Sequence, residues 1–237
     1  MSNRIAKLLS LCLLQIAALS SHAATVSATL QYQPVLGHAH SAWPDAVHLS
    51  QSNSTFAMVD AASTPPLSNG EDPVRFFSGF GEVGATGVVN TQHSINGLGQ
   101  LQTQLRWSET FANQTGAAQA YSMGFNLGPV GLTVTTNGSL PSPDHERRAG
   151  FDLQILVNGQ SAWSSGITLQ WLGDQFSLVR NGSDLGLGEL EIDVGTYANF
   201  TLDGYLGQVD LGQFAEGTSF NVEYILTAVT EYQDPNG

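Results

Sequence analysis

From Phe151 to Gly159 apolar and polar residues alternate one for one, and the run ends on Asn-Gly. Phe151, Leu153, Ile155 and Val157 fall on one side; Asp152, Gln154, Leu156 and Asn158 fall on the other. A period of two marks a half-buried strand, because successive side chains of an extended backbone point to opposite faces. Asn158-Gly159 supplies the positive φ that both central positions of a type I′ turn require, so the chain is predicted to reverse there. A one-residue slip of such a strand would turn its whole apolar set into water, which makes the register a strong constraint. Within the longer run Arg147 to Gly186, a second Asn-Gly at Asn181-Gly182 follows Phe176 to Arg180 and predicts a second hairpin.

The same punctuation recurs along the chain. Asn-Gly stands also at Asn69, Asn96, Asn137 and Asn236, Asp203-Gly204 is its equivalent, and 26 glycines separate short β-rich segments. Alternation predicts strands at 25–33, 74–80, 101–107, 121–127, 132–134, 190–194 and 220–228, with Leu202, Leu206, Val209 and Leu211 extending the apolar set. Residues 33–73 hold Trp43-Pro44, Pro65-Pro66 and Asn69-Gly70 and read as a long loop, interrupted by a short strand at 56–59. Trp107 shares parity with Leu101 and Leu105, and Trp171 with Ile167 and Leu169, so both are expected in the core. The class expected is all-β: an antiparallel two-sheet β-sandwich, jelly-roll-like, in one domain spanning 24–237.

The first 23 residues have the form of an export signal. Arg4 and Lys7 precede an apolar run from Leu8 to Leu19, and Ser21-His22-Ala23 offers small residues for cleavage. Twelve apolar residues are too few to span a bilayer, so the mature chain is expected to carry no integral membrane segment. Cleavage after Ala23 would remove 23 of 237 residues, leaving 214 without cysteine, since Cys12 departs with the signal. Stability then falls to the core, which about 200 residues can build without disulfides. Five arginines (Arg75, Arg106, Arg147, Arg148, Arg180) remain against twenty acids, a net charge of −15. Such a surface repels phosphate backbones and anionic membranes, which excludes nucleic acid as a partner.

From about Phe125 onward, Gly138-Ser-Leu140, Ala149-Gly-Phe-Asp-Leu153, Val157-Asn-Gly159, Ala162-Trp-Ser-Ser165 and Leu211-Gly-Gln-Phe-Ala-Glu-Gly217 before Phe220-Asn-Val-Glu-Tyr224 form a pattern. It resembles the exosortase-sorted (PEP-CTERM type) secreted β-sandwich proteins of bacteria. The resemblance implies an exported protein of the envelope or matrix and brings no catalytic residues. Members of that family usually end in a Pro-Glu-Pro box, an apolar helix and a basic tail. This sequence stops at Asp234-Pro-Asn-Gly237, where such a tail would begin, so the expectation is a trimmed tail or free release.

Four sets of residues invite a chemical reading. Glu189, Glu191 and Asp193 share one strand face at spacings of about 6.5–7 Å, near the about 5–5.5 Å that a retaining glycosidase needs between its carboxyls. The run resembles the acid-x-acid signature of jelly-roll β-glucanases, which carry Asp between two Glu; here Asp193 comes last. The alternative is a solvated face, with Leu190, Ile192 and Val194 buried opposite. His38, His40 and His48 could gather on a metal, although their spacing matches no zinc signature. Calcium is a possible ligand on charge grounds, with Asn181, Ser183 and Asp184 crowded into one turn. Finally, a two-residue turn at Asn158-Gly159 would pair Ile155 with Ala162 and Gln154 with Trp163. That register puts Trp163 outward beside Gln154, a platform on which a sugar ring could stack; Trp43 is a second aromatic candidate.

The function these residues point to first is non-enzymatic: an exported β-sandwich of the cell surface, extracellular matrix or biofilm. A carbohydrate-binding, lectin-like module, assisted by calcium, is the alternative, and a glycoside hydrolase using Glu189, Glu191 and Asp193 is the third. Expected partners are extracellular polysaccharide or other surface proteins.

Overall fold

The computed structural model describes residues 19–21, 24–34, 46–63, 76–96, 99–135, 146–173, 175–193 and 197–233. Among them run sixteen strands and no helix: β1 (Leu19–Ser21), β2 (Thr25–Pro34), β3 (Val47–Asn53), β4 (Phe56–Ser63), β5 (Phe76–Gly84), β6 (Val89–Asn96), β7 (Gly99–Asn113) and β8 (Gln119–Leu127) come first. They are followed by β9 (Val130–Thr135), β10 (Glu146–Val157), β11 (Gln160–Leu172), β12 (Gln175–Gly182), β13 (Glu189–Asp193), β14 (Tyr197–Leu202), β15 (Tyr205–Phe214) and β16 (Ser219–Gln233). No helix among the described residues is long and apolar enough to cross a membrane. Every pairing is antiparallel.

The strands form a two-layer β-sandwich of unequal layers. One layer is a wide sheet in the order β12-β11-β10-β16-β7-β2-β3, with β1 also paired to β7. The other consists of three smaller sheets, β13-β14-β9, β15-β8 and β4-β5-β6. The core lies between them and is built in rows. Ala28, Leu105, Leu226 and Leu153 stand opposite one another on four successive strands and are all fully buried. Burying each leucine contributes about 1.5–3 kcal/mol, so shortening Leu226 would be felt across the whole row. Trp107 stacks on Tyr224 and Trp171 on Phe176, both tryptophans buried as their parity predicts.

The Asn158-Gly159 turn forms as predicted, with φ of 51° and 77°. Its amide donates to Asn221 O at 2.9 Å and its side-chain oxygen accepts from Asn221 N, fastening the turn to β16. The second Asn-Gly does not make a hairpin. Asn181 and Gly182 are the last residues of β12, paired with Gly166 and Ser165, and β11 turns into β12 around Gly173, whose φ is 63°. Gly182 ends its strand at φ 74° with its α-carbon so close to Ser164 that a Cβ would lie 2.3 Å from the carbonyl oxygen. The positive φ is needed there to leave the sheet rather than to fold back along it.

Among the strands that alternation did not give are β3 and β6. β3 lies inside the region expected to be loop; as the edge of the wide sheet it buries only Val47 and Leu49, and those only in part, so little periodicity shows. β6 turns Val89, Thr91, His93 and Ile95 toward the core, and two polar residues among four hide the pattern. Of the proposed export signal, 1–18, 22 and 23 lie outside the described residues.

Candidate functional site

Trp163 does not lie where a regular hairpin would put it. Val157 pairs with Gln160 and Leu156 with Ser161, but Ile155 then pairs with Trp163, because the register shifts between Ile155 and Leu156. Ala162 is the extra residue of a β-bulge, which sends the following side chains to the opposite face. Trp163 therefore shares the inward face with Ile155, Leu153 and Phe151, and the outward placement beside Gln154 is corrected. Gln154 stands on the other side of the sheet, opposite Ser164 and Ile225, and is exposed.

Turned inward at the end of the wide sheet, Trp163 is only half-buried. Phe125 of β8 meets it edge-on, with ring centroids 4.7 Å apart and planes at 61°. Tyr205, the first residue of β15, presents a nearly parallel ring, at 6.5 Å and 20°. Tyr205 is half-buried too. Gly207 makes this arrangement possible, since a Cβ there would lie 2.3 Å from Phe125 Cζ and 2.8 Å from Tyr205 Cε1.

The three described tryptophans treat their indole N–H differently. Trp107 donates to Ala85 O at 2.9 Å. The Trp171 N–H is buried without a partner. Trp163 Nε1 and the Tyr205 hydroxyl make no hydrogen bond among the described residues. A polar tip on an aromatic body normally finds a partner once it is removed from water. Both residues here are only half-buried, at the rim of the core.

The acids of β13 are brought onto one face, as their spacing requires. Glu189, Glu191 and Asp193 stand opposite Thr201, Asn199 and Tyr197 on β14, and Glu191 accepts from the Tyr197 hydroxyl at 2.7 Å. All three are exposed. Their apolar neighbours are not buried: Leu190 and Ile192 pair with buried Phe200 and Ala198, yet are 42% and 44% exposed because β13 is the free edge of its sheet. Val194 lies outside the described residues.

His48 sits on the outward face of β3, with Nδ1 2.8 Å from Gln31 Nε2. Its proposed companions His38 and His40, and the second aromatic candidate Trp43, lie outside the described residues. In the turn after β12, Asp184 accepts from Gly186 N at 2.9 Å and faces Arg180 at 3.8 Å, while Ser183 exchanges bonds with Ser164 and Ser165 through its backbone. Asn181 is paired across to Gly166. Asp184 and Ser183 are thus engaged in shaping the turn, and among the described residues no three His, Cys, Asp or Glu gather to hold a metal ion.

Two features escaped sequence reasoning. Tyr205 lies 42 residues from Trp163 in the chain, and only the crossing of β15 over β11 brings them together. His93 is buried on β6 with Nε2 against the Thr103 hydroxyl of β7 and Nδ1 unpartnered; burial lowers its pKa from the ordinary 6.5 to about 4. Asp152, which packs over Gly166 on the outward face, has its carboxyl pKa raised by partial desolvation. No family model, curated protein or solved structure matches the chain.

Proposed function

We propose that this chain is a non-enzymatic exported β-sandwich that works at the cell surface or in the extracellular matrix. What carries the reading is the outward face of the wide sheet. Across it run rows of polar and charged side chains in register: Gln33, Gln100, Glu231, Arg148 and Gln170 in one, and Thr29, Gln104, Thr227 and Asp152 in another. Arg106–Glu223 and Arg148–Glu231 ion pairs tie neighbouring strands together, and Gln100 donates to Glu231 at 3.5 Å. Cross-strand pairs of this kind each contribute about 0.2–1 kcal/mol and fix the strand order. The result is a broad, flat, hydrogen-bonding surface whose chemistry suits contact with hydrated polymer or another protein.

The signal-like leader and the net charge of −15 support export and solubility outside the cell. Fractionation of the producing cells, with N-terminal sequencing of the recovered chain, tests the proposal. The expected result is a chain beginning at Ala24 in the envelope or matrix fraction. A chain that keeps its leader and stays in the cytoplasm would overturn it.

A further inference from the structure

We infer that the free edge of β13 is a docking site for an extended segment of another polypeptide that alternates lysine or arginine with aliphatic residues. β13 is paired to β14 along one side only, without a register shift, and no described strand lies along its other side. Such an edge presents a row of backbone N–H and C=O groups to which a further strand can add. Edges are ordinarily protected by proline, lysine, a bulge or a covering element. Glu189-Leu-Glu-Ile-Asp193 holds no proline or lysine, and all five of its residues are exposed. Leu190 and Ile192 have Phe200 and Ala198 beside them on β14 but remain 42% and 44% exposed. A strand on the open side would set aliphatic side chains against them.

The local charges choose the occupant. Glu189, Glu191 and Asp193 share the other face of β13, and the β14 positions opposite them, Thr201, Asn199 and Tyr197, are uncharged. Of the three acids only Glu191 has a hydrogen-bond partner among the described residues, the Tyr197 hydroxyl. Side chains directly opposite across a strand pair attract when unlike in charge and repel when alike. A second copy of the chain is therefore turned away: antiparallel pairing of two β13 strands about Glu191 sets that residue against itself and Glu189 against Asp193. A strand with cations at alternate positions meets all three carboxylates while its aliphatic residues meet Leu190 and Ile192. No two of this chain's seven cations stand two residues apart, so that strand belongs to a different protein. The site lies on a different sheet from the broad polar face and does not rest on it.

The test uses the mature full-length chain, ¹⁵N-labelled, with three blocked heptapeptides: Lys-Val-Lys-Val-Lys-Val-Lys, its block isomer Lys-Lys-Lys-Lys-Val-Val-Val, and Glu-Val-Glu-Val-Glu-Val-Glu. Binding is read at low salt from backbone amide shifts and amide exchange. The alternating lysine peptide is expected to saturate, to move the β13 amides and to slow their exchange. The block isomer should bind at least tenfold more weakly, and the glutamate peptide not at all. Replacing Glu189, Glu191 and Asp193 together by lysine should reverse the preference to the glutamate peptide. The neutral variant, Glu189→Gln with Glu191→Gln and Asp193→Asn, should weaken the lysine peptide at least tenfold, as should Leu190→Ser with Ile192→Ser. Glu216→Gln, exposed in the turn before β16, should leave binding unchanged. Absence of saturation overturns the inference. So does equal binding of the block isomer, a response that leaves the β13 amides still, or binding unaltered in the folded neutral variant. A dimer of the chain itself with protected β13 amides would show that a second copy takes the edge, and equally overturns it. None of these outcomes bears on where the chain is found, so the localisation proposal stands or falls by itself.

Discussion

Beneath β4, β5 and β6 the sandwich closes on glycine, whereas beneath β8 and β15 it closes on aromatic rings. In the first region Gly79 and Gly81 lower β5 onto the wide sheet, so that a Cβ at Gly81 would lie 2.5 Å from Thr103 Cγ2 and 2.9 Å from Leu105 Cδ2. The backbone comes down so far that His93 is sealed in, and even Trp107 at the border hands its N–H to Ala85. In the second region Tyr121, Phe125, Tyr205 and Phe214 hold the layers apart with their rings. Rings fill the gap at its centre and leave Trp163 and Tyr205 half-open at its rim. Close approach makes a seal; bulky spacers leave a rim that is only half-buried.

The largest consequence should appear in the tryptophans. Trp107→Ala empties a fully packed position and orphans Ala85 O, so unfolding in urea is expected to show a loss of about 3–5 kcal/mol. Trp163→Ala should cost less than half of that, because the residue is only half-buried. Equal losses would mean that the two regions are packed alike.

Acid should open the glycine-closed region first. His93 is neutral in the folded chain down to about pH 4, but takes a proton below 6.5 when unfolded. The unfolded state therefore binds more protons between these values, and stability falls as pH drops through the window. At about 1.4 kcal/mol per unit, the loss is about 3 kcal/mol once pH is below 4. Denaturant titrations from pH 7 to 4 should show it in the wild type and not in His93→Gln; an unchanged slope in the variant would assign the effect to other groups.

Smaller and more local effects separate the two glycines. Gly81→Ala forces a methyl into Thr103 and Leu105 and is expected to cost about 1–3 kcal/mol. Gly207→Ala meets the rings of buried Phe125 and half-buried Tyr205, so it should cost a comparable amount but, unlike Gly81→Ala, shift Trp163 emission as Phe125 is pushed from its place. Neutralising Glu189, Glu191 and Asp193 together should change stability by no more than about 0.5 kcal/mol, since exposed side chains away from packing contribute little. A larger change would show that the β13 edge is more engaged than its exposure indicates.

Much of the sandwich was legible in the alternation of Phe151 to Ile155, Leu101 to Trp107 and Phe220 to Leu226, because each of these stretches buries one face completely. Legibility failed where the inward face is polar or thinly covered, as in β6 with Thr91 and His93 and in β3 at the sheet edge. It failed also where one residue was added. The turn at Asn158-Gly159 was readable, yet the bulge at Ala162 three residues later reversed the side on which Trp163 sits. Nothing in Gln160-Ser-Ala-Trp163 distinguishes a bulge from a regular strand; it is the shape of the inner layer, with Phe125 and Tyr205 waiting, that holds the indole inward. The carboxylate face of β13 followed from spacing alone, but the exposure of Leu190 and Ile192 depends on which strand ends the sheet, and this is a property of topology.

Hydrogen exchange at the indole N–H groups tests the contrast most directly, in a ¹⁵N-tryptophan-labelled chain with resonances assigned by single Trp→Phe replacements. Trp163 N–H should exchange within the first spectrum, while Trp107 N–H, bonded to Ala85 O inside the sealed region, should persist until global unfolding. Equal protection of the two would contradict the contrast between a sealed and a half-open region.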